Sequence, residues 1–202
     1  LAREADLVSP KLVVGLGNPG TRYEKTRHNI GRRAVEALGR HSKTSWNESK
    51  SLRAVWKALE QADSSLLLAV PDCFMNESGA PVKRLVEHFK IDFKSSLLVV
   101  MDDAALPFGQ LRLRLSGSDG GHRGLRSIEQ ALKSREYARL RVGIGPPEPT
   151  KTPLEKYVLE PFTASEERKL KAEVLERGAH CCLLWATEGP EKAMNETNKP
   201  HS

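Results

Sequence analysis

The sequence predicts an α/β fold in one domain, on a sheet that is largely parallel or mixed. Three features point there. Residues 11–17 and 96–101 are short apolar runs with the density of buried strands. Segments with helical apolar spacing alternate with such runs along the chain. The 202 residues fall within the usual range of a single domain, which can bury about 70% of its unfolded surface with no staple or metal.

The elements follow in order. After the strand at 11–17, residues 29–39 place Ile30, Ala34, Val35 and Leu38 at helical spacing, closed by Gly39. Residues 52–59 alternate loosely, and 65–70 form an apolar run stopped by Pro71, so both read as strands. Residues 78–90 read as a helix with Ser78 as its cap and Leu85, Val86 and Phe89 on one face. The strand at 96–101 precedes a half-exposed one at 111–115, where leucines alternate with Arg112 and Arg114. A helix at 124–132 and a strand at 139–145 follow. Four prolines in 146–153 make a loop. Thr163 and Glu166 have capping-box spacing ahead of a long helix through Trp185, and a shorter helix spans about 191–198. The domain is expected over 11–198, with tails at 1–10 and 199–202. The first residue is Leu1 and not Met, which reads as a cropped or processed chain, and any targeting segment before it is out of view.

Composition narrows the class. Charged residues make up 29% and hydrophobic ones 39%, and no apolar run approaches the ~20 residues that span a bilayer, so no membrane partner is expected. A formal charge of +6 suits a polyanion such as nucleic acid equally with a merely basic surface. Arginines recur in sets (Arg32 and Arg33, Arg112 and Arg114, Arg139 and Arg141), and alternation on a strand would gather such a set into a stripe. Aromatics, at 5%, are too few for a stacking platform for single-stranded RNA. Cys73, Cys181 and Cys182 have neither disulfide nor metal spacing, so reduced thiols and an intracellular compartment are expected.

In α/β sheets ligands gather beyond the carboxyl ends of strands. There the sequence places Asn18, the turn Phe74-Met75-Asn76, Asp102-Asp103, and Gly120-Gly121-His122 at a helix entry. Loops are rich in such residues anyway, so convergence suggests a rim without proving one. Gly15-Leu-Gly-Asn-Pro-Gly20 matches the glycine pattern of dinucleotide-binding turns, but the second strand with its acid is missing; Glu36 lies in a helical pattern. His28 stands apart from His41, His88, His180 and His201, which read as solvated or capping histidines. It opens the first helix with Asp102 available from another strand end. A carboxylate on one ring nitrogen fixes the tautomer and frees the other as a base, while an amide such as Asn18 or Asn76 can hold water or donate to an oxyanion. There is no G-x-S-x-G, framed cysteine nucleophile or H-E-x-x-H. Water activated by histidine is the simplest chemistry left, with no cofactor and no metal.

These residues resemble the bacterial-type peptidyl-tRNA hydrolases, read here as a eukaryotic member. The marks are Lys11-Leu-Val-Val-Gly-Leu-Gly-Asn-Pro-Gly20, Tyr23, Thr26-Arg-His-Asn29, Phe74-Met-Asn76, Ser78-Gly79, Asp102-Asp103, Leu106-Pro107, Gly120-Gly-His122 and Arg139-Leu-Arg-Val-Gly-Ile-Gly145. They stand in family order over residues 11 to about 195. The resemblance implies a twisted mixed sheet flanked by helices and cleavage of the ester between peptide and tRNA. It implies His28 as catalytic base, Asp102 as its support, Asn18 as the amide that tells blocked from unblocked substrates, and Asn76 as a positioner of water and substrate. Tyr23, Phe74 and Met75 would line the acyl end, with His122 and Arg123 also touching substrate. Arg114 and Arg141 would hold the 5′ phosphate of the tRNA, a task for the planar guanidinium fork; without the family they read as an exposed strand face.

Two departures stand out: Arg123 occupies a position where the family usually has Asn, and Ala105 one that is often Asp. The expected partners are peptidyl-tRNA and ribosome-rescue complexes, and the expected protein is a monomer in the cytoplasm or mitochondrion. A non-catalytic tRNA-binding module would keep the arginines without needing the His28–Asp102 pair, and a dinucleotide enzyme would need a bound cofactor.

Overall fold

In the computed structural model, which describes residues 10–40, 42–60, 65–147 and 152–199, the first strand already shows how the layers divide. Along β1 (Lys11–Gly15), Leu12 and Val14 point into one core and Val13 into the other, all fully buried. A strand buried on both faces belongs in the middle of a sheet covered by helices on both sides. β1 indeed lies fourth of seven strands, in the order β2-β3-β4-β1-β5-β7-β6. The additional strands are β2 (Asn47–Ser49), β3 (Ala54–Glu60), β4 (Ser65–Pro71), β5 (Leu97–Asp103), β6 (Leu111–Arg114) and β7 (Ala138–Gly143). The central four, β4-β1-β5-β7, are parallel, and the pairings β2–β3, β3–β4 and β6–β7 are antiparallel. The sheet is therefore mixed.

One face carries α1 (Ile30–Arg40) and the long C-terminal rod: α6 (Ala164–Lys169), a π-helical turn at Leu170–Val174, and α7 (Leu175–Glu188). Ile30, Ala34, Val35 and Leu38 bury the stripe their spacing predicts, against Trp185 and the upper sheet. The capping box forms, with the Thr163 hydroxyl accepting from Glu166 N and the Glu166 carboxylate accepting from Thr163 N. α8 (Pro190–Thr197) follows Gly189. The opposite face carries α2 (Gly79–His88) and α4 (Arg123–Leu132) through Val82, Leu85, Leu125 and Ile128. Two short helices, α3 (Phe93–Ser96) and α5 (Leu154–Tyr157), complete the chain.

Two glycines set the distances that matter for the site. A Cβ on Gly31 would lie 2.1 Å from Val100 O, and one on Gly79 2.0 Å from Ser127 O. Only glycine lets α1 rest directly on β5 and α2 on α4, which draws the start of α1 toward the end of β5.

Several expectations need correction. Ser78 does not cap α2; it is itself in helical conformation, and its hydroxyl donates to Met75 O. The edge strand β2 was not anticipated; its three residues are polar and exposed or half-buried, so no apolar alternation marks it. After α1 the chain passes to this antiparallel edge and not to a neighbour of β1, so the second strand of a dinucleotide fold is absent. Arg139 is no part of a surface stripe. It is fully buried, with its guanidinium donating to Gly117 O, Ser118 O and Arg135 O. Of the expected tails at 1–10 and 199–202, all but Pro10 and Lys199 lie outside the described residues, as do His41, His201 and positions 148–151 of the proline-rich loop. No helix among the described residues is long and apolar enough to cross a membrane.

Candidate active site

Because β4, β1 and β5 are parallel neighbours, their carboxyl ends open side by side. Asn18 follows β1, Phe74-Met75-Asn76 follows β4, and Asp102 closes β5. A cleft of about 430 Å³ lies above them, within the usual range for small-ligand sites. Its lining includes Asn18, Tyr23, His28, Phe74, Met75, Asn76, Asp102, His122, Arg123 and Arg141. Of the expected site residues, Arg114 alone stands outside that lining.

His28 sits in a one-turn 3-10 segment, Arg27–Asn29, that leads into α1. Its Nδ1 is 2.7 Å from Asp102 Oδ1. His28 and Asp102 are both buried, at 8% and 3% exposure. The same carboxylate oxygen meets His122 Nε2 at 3.0 Å. His122 also caps α4, its Nδ1 accepting from the backbone N–H groups of Gly124 and Leu125. A ring nitrogen that accepts two N–H groups carries no proton, so the His122 proton is on Nε2 and points at Asp102. Asp102, as acceptor, also draws the His28 proton to Nδ1. His28 Nε2 is thereby left as a lone-pair base on the cleft side.

The electrostatics follow from this. Burial lowers the His28 pKa, but the Asp102 charge and hydrogen bond raise it by more, against a smaller opposing push from Arg123; the net shift is upward. Burial alone would raise the Asp102 pKa, yet the two imidazoles hold it well below the usual carboxylate range. Asp102 stays ionised and His28 becomes a better base than a solvated histidine.

Asn18 is anchored on three sides. Its N–H donates to Asn29 Oδ1, its carbonyl accepts from Asn29 Nδ2, and its side-chain Oδ1 accepts from Met75 N. With Oδ1 spent, Nδ2 is the donor left on this cleft residue. Asn76 is exposed on the same rim. Tyr23 and Phe74 meet edge to face, with centroids 6.2 Å apart.

Sequence reasoning missed three parts. His122 is engaged through both ring nitrogens, to Asp102 and to the start of α4. Asn29 locks the Asn18 loop. The cleft wall is built by Leu154, Val158 and Leu159 of the segment just after the proline-rich loop, with Leu154 47% and Leu159 43% exposed. Those positions carry no motif signal. The Arg123 side chain is exposed and lines the cleft. Ala105 lines it too, offering only a backbone N–H, which Asp103 Oδ1 accepts.

The basic pair is less symmetric than expected. In the β6–β7 register Arg141 faces Arg112, while Arg114 faces Arg139, so Arg114 and Arg141 are diagonal neighbours, about 7–8 Å apart at Cα. Arg141 lies 3.4 Å from Asp103; Arg114 is exposed and without an ion pair among the described residues.

His28, Asp102 and His122 also form a cluster whose potential metal-ligand atoms lie within 4.8 Å of one another. Their contacts are at hydrogen-bond distances, and a cation placed there would have to displace both imidazole protons. Protons account for the arrangement.

An α/β sheet whose carboxyl edge presents a buried carboxylate-supported histidine, amides and an apolar-walled cleft carries the kinds of group that a hydrolytic enzyme uses. The family model for peptidyl-tRNA hydrolase matches residues 12–202. The peptidyl-tRNA hydrolase of Aquifex aeolicus is 42% identical over 94% of this chain and 96% of its own. That of Roseiflexus castenholzii is 44% identical over 94% and 87%. The crystal structure of the Acinetobacter baumannii enzyme superposes with a TM-score of 0.86 at 28% identity, covering 96% of this chain and 97% of that one. The chain belongs to the peptidyl-tRNA hydrolase family.

Proposed function

We propose that this protein hydrolyses the ester joining a peptide, or an N-blocked aminoacyl group, to the terminal ribose of tRNA, releasing free acid and free tRNA for recycling. One observation carries the mechanism: His28 Nδ1 lies 2.7 Å from the buried Asp102, which commits Nε2 to the cleft. His28 Nε2 takes a proton from water as its oxygen attacks the ester carbonyl. The resulting imidazolium is stabilised by Asp102 and returns the proton to the leaving ribose oxygen. Asn18 Nδ2 and the Asn76 amide are donors for the developing oxyanion or the attacking water. Tyr23, Phe74 and Met75 pack against the acyl end, and Arg123 supplies a cation toward the 3′ end of the RNA. Arg114 and Arg141 take the 5′ phosphate.

The same reading brings finer assignments with it. Peptidyl-tRNA arises where translation runs, so the compartment is cytoplasm or mitochondrion, and substrate comes from ribosomes or ribosome-rescue complexes. We further assign a monomer, and a eukaryotic source; the relatives named above are bacterial. Sedimentation tests the oligomeric state, and cell fractionation the compartment.

The deciding assay is release of an N-acetylated amino acid from tRNA by the purified protein. His28→Ala is expected to lower turnover by at least ~10²–10⁴-fold, the usual loss with a general base, while tRNA binding stays near normal. Near-normal turnover would refute the assignment of His28.

A further inference from the structure

Arg27, next to the proposed base, does not reach the cleft. Its guanidinium lies between two rings, 4.6 Å from the centroid of Tyr157 and 4.8 Å from that of Phe162, and Nη2 donates to Glu166 at 3.0 Å. The residue is 5% exposed, and its Nε and Nη1 are buried with no hydrogen-bond partner among the described residues. An arginine that leaves two buried donors unbonded is there for its flat cationic face, which attracts aromatic rings. The rings it joins belong to the segment that walls the cleft and to the residue that leads from it into the C-terminal rod. Leu154, Val158 and Leu159 line it, Tyr157 sits among them, and Phe162 follows at the start of the C-terminal rod. The backbone is fastened at the same place: Arg27 N donates to Glu160 O and His28 N to Val158 O.

We propose that Arg27 is a positioning residue that holds the apolar wall over His28 and thereby sets how well bulky apolar acyl groups bind. This rests on the substrate reading above. The wall keeps Leu154 and Leu159 half-exposed toward the cleft, which an unrestrained segment would bury by closing in. Lysine at this position would keep the charge near Glu166 but lose the planar face. Arg33, bidentate with Glu167, anchors the rod independently, so the fold does not depend on Arg27 alone.

The test compares N-acetyl-phenylalanyl and N-acetyl-glycyl esters on one tRNA. For Arg27→Lys, KM for the phenylalanyl substrate should rise by about three- to tenfold, the scale of a modest loss in an apolar pocket. KM for the glycyl substrate, kcat and the acid limb of the pH profile should stay put, because the His28–Asp102 bond is outside the clamp. Tyr157→Leu, at a half-buried position, should reproduce the split and carries the test if Arg27→Lys does not fold. Equal KM changes on both substrates, an unchanged KM, or a shifted acid limb would overturn the role of Arg27. A wild-type protein that releases neither group overturns the substrate reading instead.

Discussion

Asp102 accepts both imidazoles on one oxygen, which gives a second histidine a place at a site where the proposed mechanism uses one as base. His122 fixes the carboxylate from one side, with its own tautomer fixed by the end of α4, and His28 then has only one way to present its proton. The direction of two pH shifts follows. Asp102 raises the His28 pKa; if His28 is the general base proposed above, it works only when neutral, and the acid limb of the rate profile lies at its pKa. Asp102→Asn removes the anion, lowers that pKa and moves the limb to lower pH, with a reduced plateau because the imidazolium loses its support. Arg123 pushes the other way, so Arg123→Gln moves the limb to higher pH. Profiles of kcat/KM for the two variants should therefore separate in opposite directions around the wild type. A common direction would mean that the limb reports some other group.

At the scale of elements, the β6–β7 register decides which arginines are available to RNA. Arg112, Arg114, Arg139 and Arg141 share a sheet face by alternation, but Arg139 is turned inward to hold the backbone at Gly117 and Ser118. Arg114 is exposed, with no ion pair among the described residues, and Arg141 is shared with Asp103. If the two hold a phosphate remote from the ester, Arg114→Ala and Arg141→Ala should each raise KM for full-length tRNA substrates and leave a minimal substrate without the 5′ phosphate unaffected. The Arg141 effect should be the smaller, since a phosphate there competes with Asp103. Losses of equal size on both kinds of substrate would mean that these arginines serve the reacting end of the cleft, which Arg141 lines, or the fold, and not a remote phosphate.

For the whole molecule, the His28–Asp102 pair sets stability against activity. A histidine whose pKa is raised by folding stabilises the native state most when protonated. That contribution is complete below the unfolded value of about 6.5 and is lost as pH rises through the higher folded value. On the proposed mechanism, activity should appear over the same interval as the stabilisation disappears. Melting temperature should therefore fall as pH rises above about 6.5 in the wild type, whereas in Asp102→Asn burial and Arg123 are left to lower the His28 pKa below its unfolded value, so the His28 contribution changes sign and this fall is lost. Equal slopes in thermal unfolding would show that His28 is not the group responsible.

Much of this was legible in the chain. The apolar runs of β1, β4 and β5, the α1 stripe and the capping box at Thr163 are local patterns, and local patterns survive into the fold because burial rewards them directly. Strand ends holding Asn18, Asn76 and Asp102 were readable too, as was His28 beside them, since parallel strands open their carboxyl ends on one edge. Tertiary structure alone decided the rest. That His122 shares the Asp102 oxygen, that Asn29 locks Asn18, that Arg139 faces inward, and that the wall comes from Leu154, Val158 and Leu159 all depend on contacts between residues far apart in sequence. Those contacts are set by strand order and by the close approach of helices at Gly31 and Gly79, which no periodicity along the chain encodes.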